Sequence, residues 1–136
     1  MSYPLLLTTV GIVNEFNEIL FIKRANKPFY GLFSLPGGKL KENEALPTGA
    51  VREISEELGL QIDNIQPLGY VEFLYPGHAL VFIFIHRVNT PIQIQSNPKE
   101  VSATKWVSEK ALSKLGELPP NHKGVAKSIY AAIRTP

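Results

Sequence analysis

Three glutamates, Glu53, Glu56 and Glu57, are spaced so that a helix would bring their carboxylates to one side. At about 100° per residue, they occupy about a third of the helix circumference. Like charges three and four residues apart destabilise a helix by roughly 0.2–0.5 kcal/mol per pair. A hard divalent cation would relieve that repulsion, and Mg²⁺ in proteins is held by carboxylates, water and substrate phosphates. The alternative is a solvated acidic face, and the helix alone leaves both interpretations open.

The residues that flank this cluster restrict the interpretation. The sequence of residues 38–60 is GKLKENEALPTGAVREISEELGL. It resembles the signature of the Nudix hydrolase family, in which a Gly, a Glu, an Arg-Glu pair, a Glu-Glu pair and a second Gly recur at set spacings. The matching positions are Gly38, Glu44, Arg52, Glu53, Ile54, Glu56, Glu57, Gly59 and Leu60. The resemblance covers roughly residues 5–133 and is nearest to the small MutT-like nucleoside triphosphate pyrophosphohydrolases.

The resemblance implies a metal site. Phosphoanhydrides are anionic, so their hydrolysis requires charge neutralisation and a positioned water. Mg²⁺, with Mn²⁺ as an alternative cofactor, would supply both. The implied ligands are the carboxylates of Glu53, Glu56 and Glu57 and the carbonyl of Gly37. Glycines at Gly37 and Gly38 would also allow a close backbone approach, although a simple turn is the plainer interpretation.

The resemblance further implies a catalytic set consisting of Arg52, Glu53, Glu56, Glu57 and Glu100. Arg52 is expected to orient the carboxylates, and the plain alternative is a solvated ion pair worth a few tenths of a kcal/mol, roughly. Glu44 is expected to hold the loop before the helix. Two candidates for the general base remain. Glu53 is the usual one in MutT-like members, and Glu100 lies six residues before Trp106, like a downstream glutamate of many relatives.

Substrate-binding residues are expected outside the signature. Arg24 and Lys39 are similar to family positions that neutralise substrate phosphates. The segment LPPNHKGVAKSI resembles the MutT stretch that carries a base-reading Asn. Asn121 is shifted by about one place from that pattern and His122 is in register, which leaves specificity for oxidised guanine open.

Aromatic residues in or near loops are candidates for stacking on a nucleobase, although most residues of this kind belong to a core or its rim. The candidates are Phe29, Tyr30, Phe33 and Tyr75. His78 and His86 have no carboxylate or Cys pattern around them, and we therefore predict surface or strand positions for both.

These residues require a particular set of elements to position them. Apolar patterning predicts strands over residues 5–13, 18–24, 66–75, 79–88 and 103–107 and a short extended piece at 32–35. Loops are predicted at 25–31 and 90–98, and Pro36-Gly37-Gly38 leads into the acidic helix. That helix is predicted over 45–58, ended by Gly59, with further helices at 108–115, capped by Ser108, and at 122–133. The run VFIFI is continuously apolar and predicts burial on both strand faces.

This order of elements predicts an α/β protein with a mixed (α+β) sheet layered between helices. Such an α/β/α sandwich agrees with the Nudix fold that the resemblance implies. The 136 residues fit one domain over residues 1–136, and the hydrophobic content of 44% is ordinary for a globular chain.

Composition excludes several classes of function. The absence of cysteine excludes disulfides, thiolate metal sites and a Cys nucleophile, and a formal charge of +2 gives no support for binding nucleic acid or membranes. No apolar run reaches the roughly 20 residues that span a bilayer. We therefore expect a soluble cytoplasmic protein, a monomer or homodimer, whose partner is a small-molecule nucleotide.

The resulting hypothesis is a Mg²⁺-dependent pyrophosphohydrolase that cleaves a nucleoside triphosphate, an oxidised or non-canonical one included, to a monophosphate and pyrophosphate. A first alternative is hydrolysis of ADP-ribose, another nucleoside diphosphate derivative or a dinucleoside polyphosphate. Tyr75 and Pro76 support it, since they lie near spacings that mark other Nudix subgroups. A second alternative is a non-catalytic nucleotide-binding module on the same fold.

Overall fold

The N-terminal aliphatic run forms a strand at the centre of one mixed sheet. The computed structural model describes residues 4–134. This part of the chain contains the strands β1 (Leu5–Val13), β2 (Ile19–Arg24), β3 (Phe33–Ser34), β4 (Gly37–Lys39), β5 (Gln66–Phe73), β6 (Ala79–Arg87) and β7 (Val101–Val107). Its helices are α1 (Leu46–Leu58), a 3₁₀ helix (Glu109–Leu115) and α2 (His122–Arg134).

The sheet runs in the order β3-β2-β1-β6-β5, with β4 paired to β1 and β7 paired to β2. The β1–β6 pair is parallel, and the other pairs are antiparallel. The predicted mixed sheet is therefore confirmed.

Two cores, one on each face of the sheet, explain why β2 is apolar at consecutive positions. Ile19 and Phe21 pack in the core on one face, and Leu20 and Ile22 pack in the core on the other. Such alternation follows from the period of two in a strand. Helix α1 contributes Ala50, Ile54 and Leu58 to one core, and helix α2 contributes Val125, Ala126, Ile129, Tyr130 and Ile133 to the other. The α/β/α layering is confirmed.

The acidic helix begins and ends close to its predicted limits. It starts at Leu46 behind Ala45, which makes no side-chain cap bond, and Pro47 lies in the first turn. It ends at Gly59, whose φ of 65° lies in the left-handed region and whose N–H donates to Ser55 O. This is the geometry for which glycine is favoured after a helix.

Gly49 inside the helix costs up to about 1 kcal/mol relative to Ala, and its lack of a side chain leaves space for Leu40 and Glu44. A Cβ there would lie 2.5 Å from Leu40 Cδ1 and 3.0 Å from Glu44 Oε1. The loop before the helix therefore packs directly on its backbone.

The Gly-Gly pair allows the close backbone approach that the sequence predicts, and it does so within a strand rather than in the alternative, a simple turn. Gly37 and Gly38 belong to β4, which pairs with β1 so that Gly37 lies opposite Thr9 and Gly38 opposite Thr8. A Cβ at Gly37 would lie 2.0 Å from Thr8 O. Only glycine allows the strand to come this close, so the pair's sequence signal reflects contact rather than a turn.

Two smaller differences concern the strands and the 3₁₀ helix. In the run VFIFI, Ile83 and Phe84 are buried, one on each face of the sheet, whereas Val81, Phe82 and Ile85 are half-buried. The predicted helix at 108–115 is a 3₁₀ helix, and Ser108 Oγ accepts a hydrogen bond from Ala111 N, which confirms the cap.

The predicted domain of residues 1–136 includes residues 1–3 and 135–136, which lie outside the described residues, and the domain limits stay a prediction. No helix within residues 4–134 has the length and apolar character needed to cross a membrane.

One buried hydrogen bond joins α2 to the sheet. Tyr130 Oη donates to Val107 O over 2.6 Å, and Tyr130 is almost fully buried. Replacing Tyr130 by Phe should lower the free energy of unfolding by about 1 kcal/mol, because the Val107 carbonyl loses its partner. Urea denaturation would measure the change. Tyr70→Phe, at an exposed tyrosine, is the matched control, and an equal loss there would contradict this explanation.

Candidate functional site

A cavity of about 770 Å³ opens beside β4 and collects residues from distant parts of the chain. Its acidic lining consists of Glu53, Glu57 and Glu100, and its cationic lining consists of Arg24 and Lys39. Its remaining polar and aromatic lining includes Phe29, Tyr75, Asn121 and His122. Ligand pockets usually have volumes of about 300–1,000 Å³, so the cavity has the size for a nucleotide-sized molecule.

Arg52 neutralises the helix acids on the side away from the core. Its Nε and Nη2 donate to the two oxygens of Glu44 at 2.6 and 2.9 Å. Its Nη1 donates to Glu53 at 3.0 Å and to Glu56 at 3.2 Å. A guanidinium that shares its donors in this way is the planar, bidentate partner that carboxylates prefer. Arg52 therefore removes much of the repulsion that the sequence predicts for this helix.

The Arg52 network extends into the loop before the helix. Glu44 Oε1 also accepts a hydrogen bond from Lys41 N, and Arg52 Nη2 donates to Lys39 O. The hydrogen bond from Arg52, followed by that from Lys41 N, lowers the pKa of Glu44 to about 2. Glu44 is thus the anchor of loop and helix, as the sequence led us to expect.

Glu57 is a buried acid, although it belongs to the acidic edge of the helix. Its Oε1 accepts a hydrogen bond from Gly37 N over 3.0 Å. Burial raises its pKa to about 8, and the nearby charges of Glu53 and Glu100 act in the same direction. The hydrogen bond opposes this shift because it favours the charged form.

Glu53 rests against the second glycine of β4. A Cβ on Gly38 would lie 2.4 Å from the Glu53 carboxyl group. Burial raises the pKa of Glu53, and the hydrogen bond from Arg52 opposes that shift. The two glycines thus support two carboxylates, since Gly37 binds Glu57 and Gly38 makes space for Glu53.

The structure brings only some of the predicted metal ligands together at the cavity. Glu53 and Glu57 line the cavity together with Gly37, whereas Glu56 is not among the lining residues and is paired with Arg52. Within residues 4–134, no three His, Cys, Asp or Glu side chains are grouped closely enough to hold a metal ion as they stand. Arg52 binds oxygens of Glu53 and Glu56, and Gly37 N binds one oxygen of Glu57.

The donor set nevertheless fits a hard divalent cation. Carboxylate and carbonyl oxygens are the ligands of Mg²⁺ and Mn²⁺, and two of the carboxylates are crowded and poorly solvated beside the cavity. Glu53, Glu57 and the Gly37 carbonyl are the groups that would hold such an ion, with Glu56 joining only if its side chain leaves Arg52.

The predicted substrate-binding residues line the same cavity but differ in their contacts. Lys39 is exposed, whereas the Arg24 guanidinium donates from Nε to Pro28 O over 2.7 Å. Asn121, at a φ of 72°, donates from Nδ2 to Tyr75 O over 3.2 Å. Of the predicted aromatic candidates, Phe29 and Tyr75 line the cavity, and Tyr30 and Phe33 do not.

His122 is a lining residue to which the sequence assigned no role. Its Nδ1 accepts a hydrogen bond from Leu35 N over 3.2 Å. Burial, and then the charge of Arg24, lowers its pKa to about 4. The ring is therefore neutral near pH 7 and carries its proton on Nε2. The signal in the sequence was its register with the base-reading Asn of the MutT stretch. His78 is exposed, His86 is half-buried on strand β6, and both lie outside the cavity lining, so the prediction of surface or strand positions is confirmed.

Comparison with known proteins gives matches over most of the chain. The sequence matches the family described as NUDIX domain over residues 5–131. It is 52% identical over 80 residues, 55% of this chain, to the ADP-ribose pyrophosphatase of Methanocaldococcus jannaschii, and spans 46% of that protein. It is 34% identical over 99 residues to the 8-oxo-dGTP diphosphatase of Buchnera aphidicola subsp. Schizaphis graminum, covering 72% of this chain and 73% of that protein.

A solved structure has the same fold. The NUDIX domain of Shewanella oneidensis NrtR, crystallised in complex with ADP ribose, superposes with a TM-score of 0.84 at 20% sequence identity. The match covers 98% of this chain and 90% of that domain. At this level of identity, the likeness concerns the fold alone.

The Glu44–Arg52 pair generates a prediction for acid stability. Because the pKa of Glu44 is lowered on folding, the pair stabilises the fold above pH 4.5 and loses its effect as the pH falls towards about 2. Glu44→Gln should therefore be less stable than the wild type at neutral pH, and the difference should shrink across that window. Denaturation at a series of pH values would measure it. Glu42→Gln, at an exposed acid of the same loop, is the control. A difference independent of pH would contradict the assignment.

Proposed function

Because the chain belongs to the NUDIX family, we propose that it hydrolyses a phosphoanhydride bond of a nucleotide with the help of a divalent cation. The observation that carries the proposal is a pair of carboxylates, the buried Glu57 and the half-buried Glu53, set against Gly37 and Gly38 in a nucleotide-sized cavity. Such poorly solvated acids are stabilised by a cation, and Mg²⁺ or Mn²⁺ suits their oxygens.

The charges of the cavity support an anionic substrate that binds together with a cation. Three carboxylates and two cationic side chains, Arg24 and Lys39, line it. These two cations alone do not match the negative charge of a polyphosphate. A bound divalent cation supplies charge neutralisation and a polarised water. Lys39 is exposed and free to approach the phosphates.

Other groups of the site orient the carboxylates and provide the general base. Arg52 holds Oε1 of Glu53, and this contact restricts the carboxylate and leaves Oε2 to accept a proton from the attacking water. Gly37 N holds Oε1 of Glu57 in the same way. Glu100 lines the cavity without a described side-chain partner and stays the rival base. Arg52 acts as a positioning residue in this proposal.

Two substrate classes have support from the relatives. The segment 52% identical to an ADP-ribose pyrophosphatase supports a nucleoside diphosphate derivative, and the 34% identity to an 8-oxo-dGTP diphosphatase supports a nucleoside triphosphate. A diphosphate diester carries fewer negative charges than a triphosphate, which suits a lining with only two cations among the described residues. We therefore favour the diphosphate derivative and keep the triphosphate as the second candidate.

Product analysis distinguishes the two classes. The protein should be incubated with Mg²⁺ and either ADP-ribose or a panel of nucleoside triphosphates that includes 8-oxo-dGTP. AMP and ribose 5-phosphate as products would support the first class, and a monophosphate with pyrophosphate would support the second. If neither substrate is hydrolysed with Mg²⁺ or Mn²⁺ and nucleotides still bind, the chain is a binding module and the proposal fails.

Glu57→Gln provides the test of the site. Glutamine keeps the shape and the hydrogen bond to Gly37 N but removes a ligand charge, so turnover should fall by about 100-fold or more while the fold persists. Steady-state kinetics at saturating Mg²⁺ and thermal unfolding would measure both effects. Glu117→Gln, at an exposed acid after the 3₁₀ helix, is the control. An unchanged turnover in Glu57→Gln would refute the assignment.

A further inference from the structure

The loop between β2 and β3 presents an aromatic ring on a rare backbone conformation. Phe29 has a φ of 66°, in the left-handed region, and the residue lines the cavity. Bulky residues seldom adopt this conformation, because Cβ approaches the following carbonyl oxygen. Such a conformation persists where the surrounding structure determines it, and positions of this kind cluster at ligand sites.

Arg24 is the residue that holds this loop in place. Its Nε donates to Pro28 O at 2.7 Å, and its Nη2 donates to Asn26 Oδ1 at 3.3 Å. Its backbone carbonyl accepts from Gly31 N at 2.9 Å. The side chain and the main chain of one arginine therefore fix the loop on both sides of Phe29.

The exposure of the neighbouring aromatic residues singles out Phe29. Tyr30 is 71% exposed and does not line the cavity, and Tyr75 lines the cavity but is 77% exposed. Phe29 is 39% exposed, so it is the most covered of the three residues and still presents surface to a ligand. A side chain with less freedom before binding loses less conformational entropy on binding.

We propose that Phe29 is the surface on which the nucleobase of the substrate stacks, and that Arg24 is the positioning residue that presents it. This inference rests on the proposed nucleotide substrate and adds the residue that recognises its base. Stacking accepts any base because every base has a π face. Phe29 therefore distinguishes nucleotides from base-free phosphates and leaves the choice among bases to hydrogen-bonding groups.

Binding to two inert probes tests the proposal without relying on activity. The probes are α,β-methylene-ADP, which has a base, and methylenediphosphonate, which has none, each titrated calorimetrically in the presence of Mg²⁺. Phe29→Leu keeps an apolar side chain but removes the aromatic face. It should weaken binding of α,β-methylene-ADP by roughly 10-fold and leave binding of methylenediphosphonate unchanged. Phe29→Tyr should restore the affinity.

Tyr30→Leu is the matched control, because it removes the adjacent exposed ring outside the cavity lining. It should change the affinity for neither probe. An equal loss for both probes in Phe29→Leu, no loss for either, an equal loss in Tyr30→Leu or a wild type that binds no α,β-methylene-ADP would each overturn the proposal. These outcomes differ from a failure of the proposed function, which is shown by absent hydrolysis in a wild type that binds the nucleotide probe.

Arg24→Lys tests the positioning role, because an ammonium group cannot reproduce the two directed bonds of the guanidinium. It should weaken binding of α,β-methylene-ADP as Phe29→Leu does, and the double variant should bind no more weakly than Phe29→Leu alone. A comparable loss for methylenediphosphonate would mean that Arg24 contacts phosphate instead, and additive losses would also contradict the positioning role.

Discussion

The structure of the site depends on how negative charge is distributed around α1. Four acids, Glu44, Glu53, Glu56 and Glu57, lie on this helix or just before it, and repulsion among them would destabilise it. Arg52 binds the first three of these acids, and Gly37 N binds the fourth. The helix can therefore carry an acidic edge next to the core, and the carboxylates that line the cavity keep defined orientations.

The sheet determines where those carboxylates rest. Strand β4 lies so close to β1 that Gly37 has no space for a Cβ, and the Glu53 carboxyl group occupies that space at Gly38. One glycine donates its N–H to Glu57, and the other lies directly below Glu53. Thr9 Oγ1 also donates to Pro36 O over 2.8 Å, which fastens the start of β4 to the central strand. The packing of β4 against β1 therefore also determines where the carboxylates of Glu53 and Glu57 lie.

Contacts between distant segments complete the cavity. His122 at the start of α2 accepts from Leu35 N, 87 residues away, and Asn121 donates to Tyr75 O, 46 residues away. These hydrogen bonds join the start of α2 to the segment between β3 and β4 and to the connection between β5 and β6. A change in the position of α2 would therefore alter both the polar lining and the approach to the carboxylates.

The sequence by itself determined the family, the α/β/α layering and the limits of α1, because apolar periodicity, a helix-ending glycine and the acidic signature are local patterns. Tertiary structure decided that Glu57 is buried while Glu56 is turned to Arg52, and that His122 is neutral. It also decided that Gly37 and Gly38 form a strand. Each of these properties depends on burial or on a partner far along the chain, and neither can be predicted from the periodicity of apolar residues.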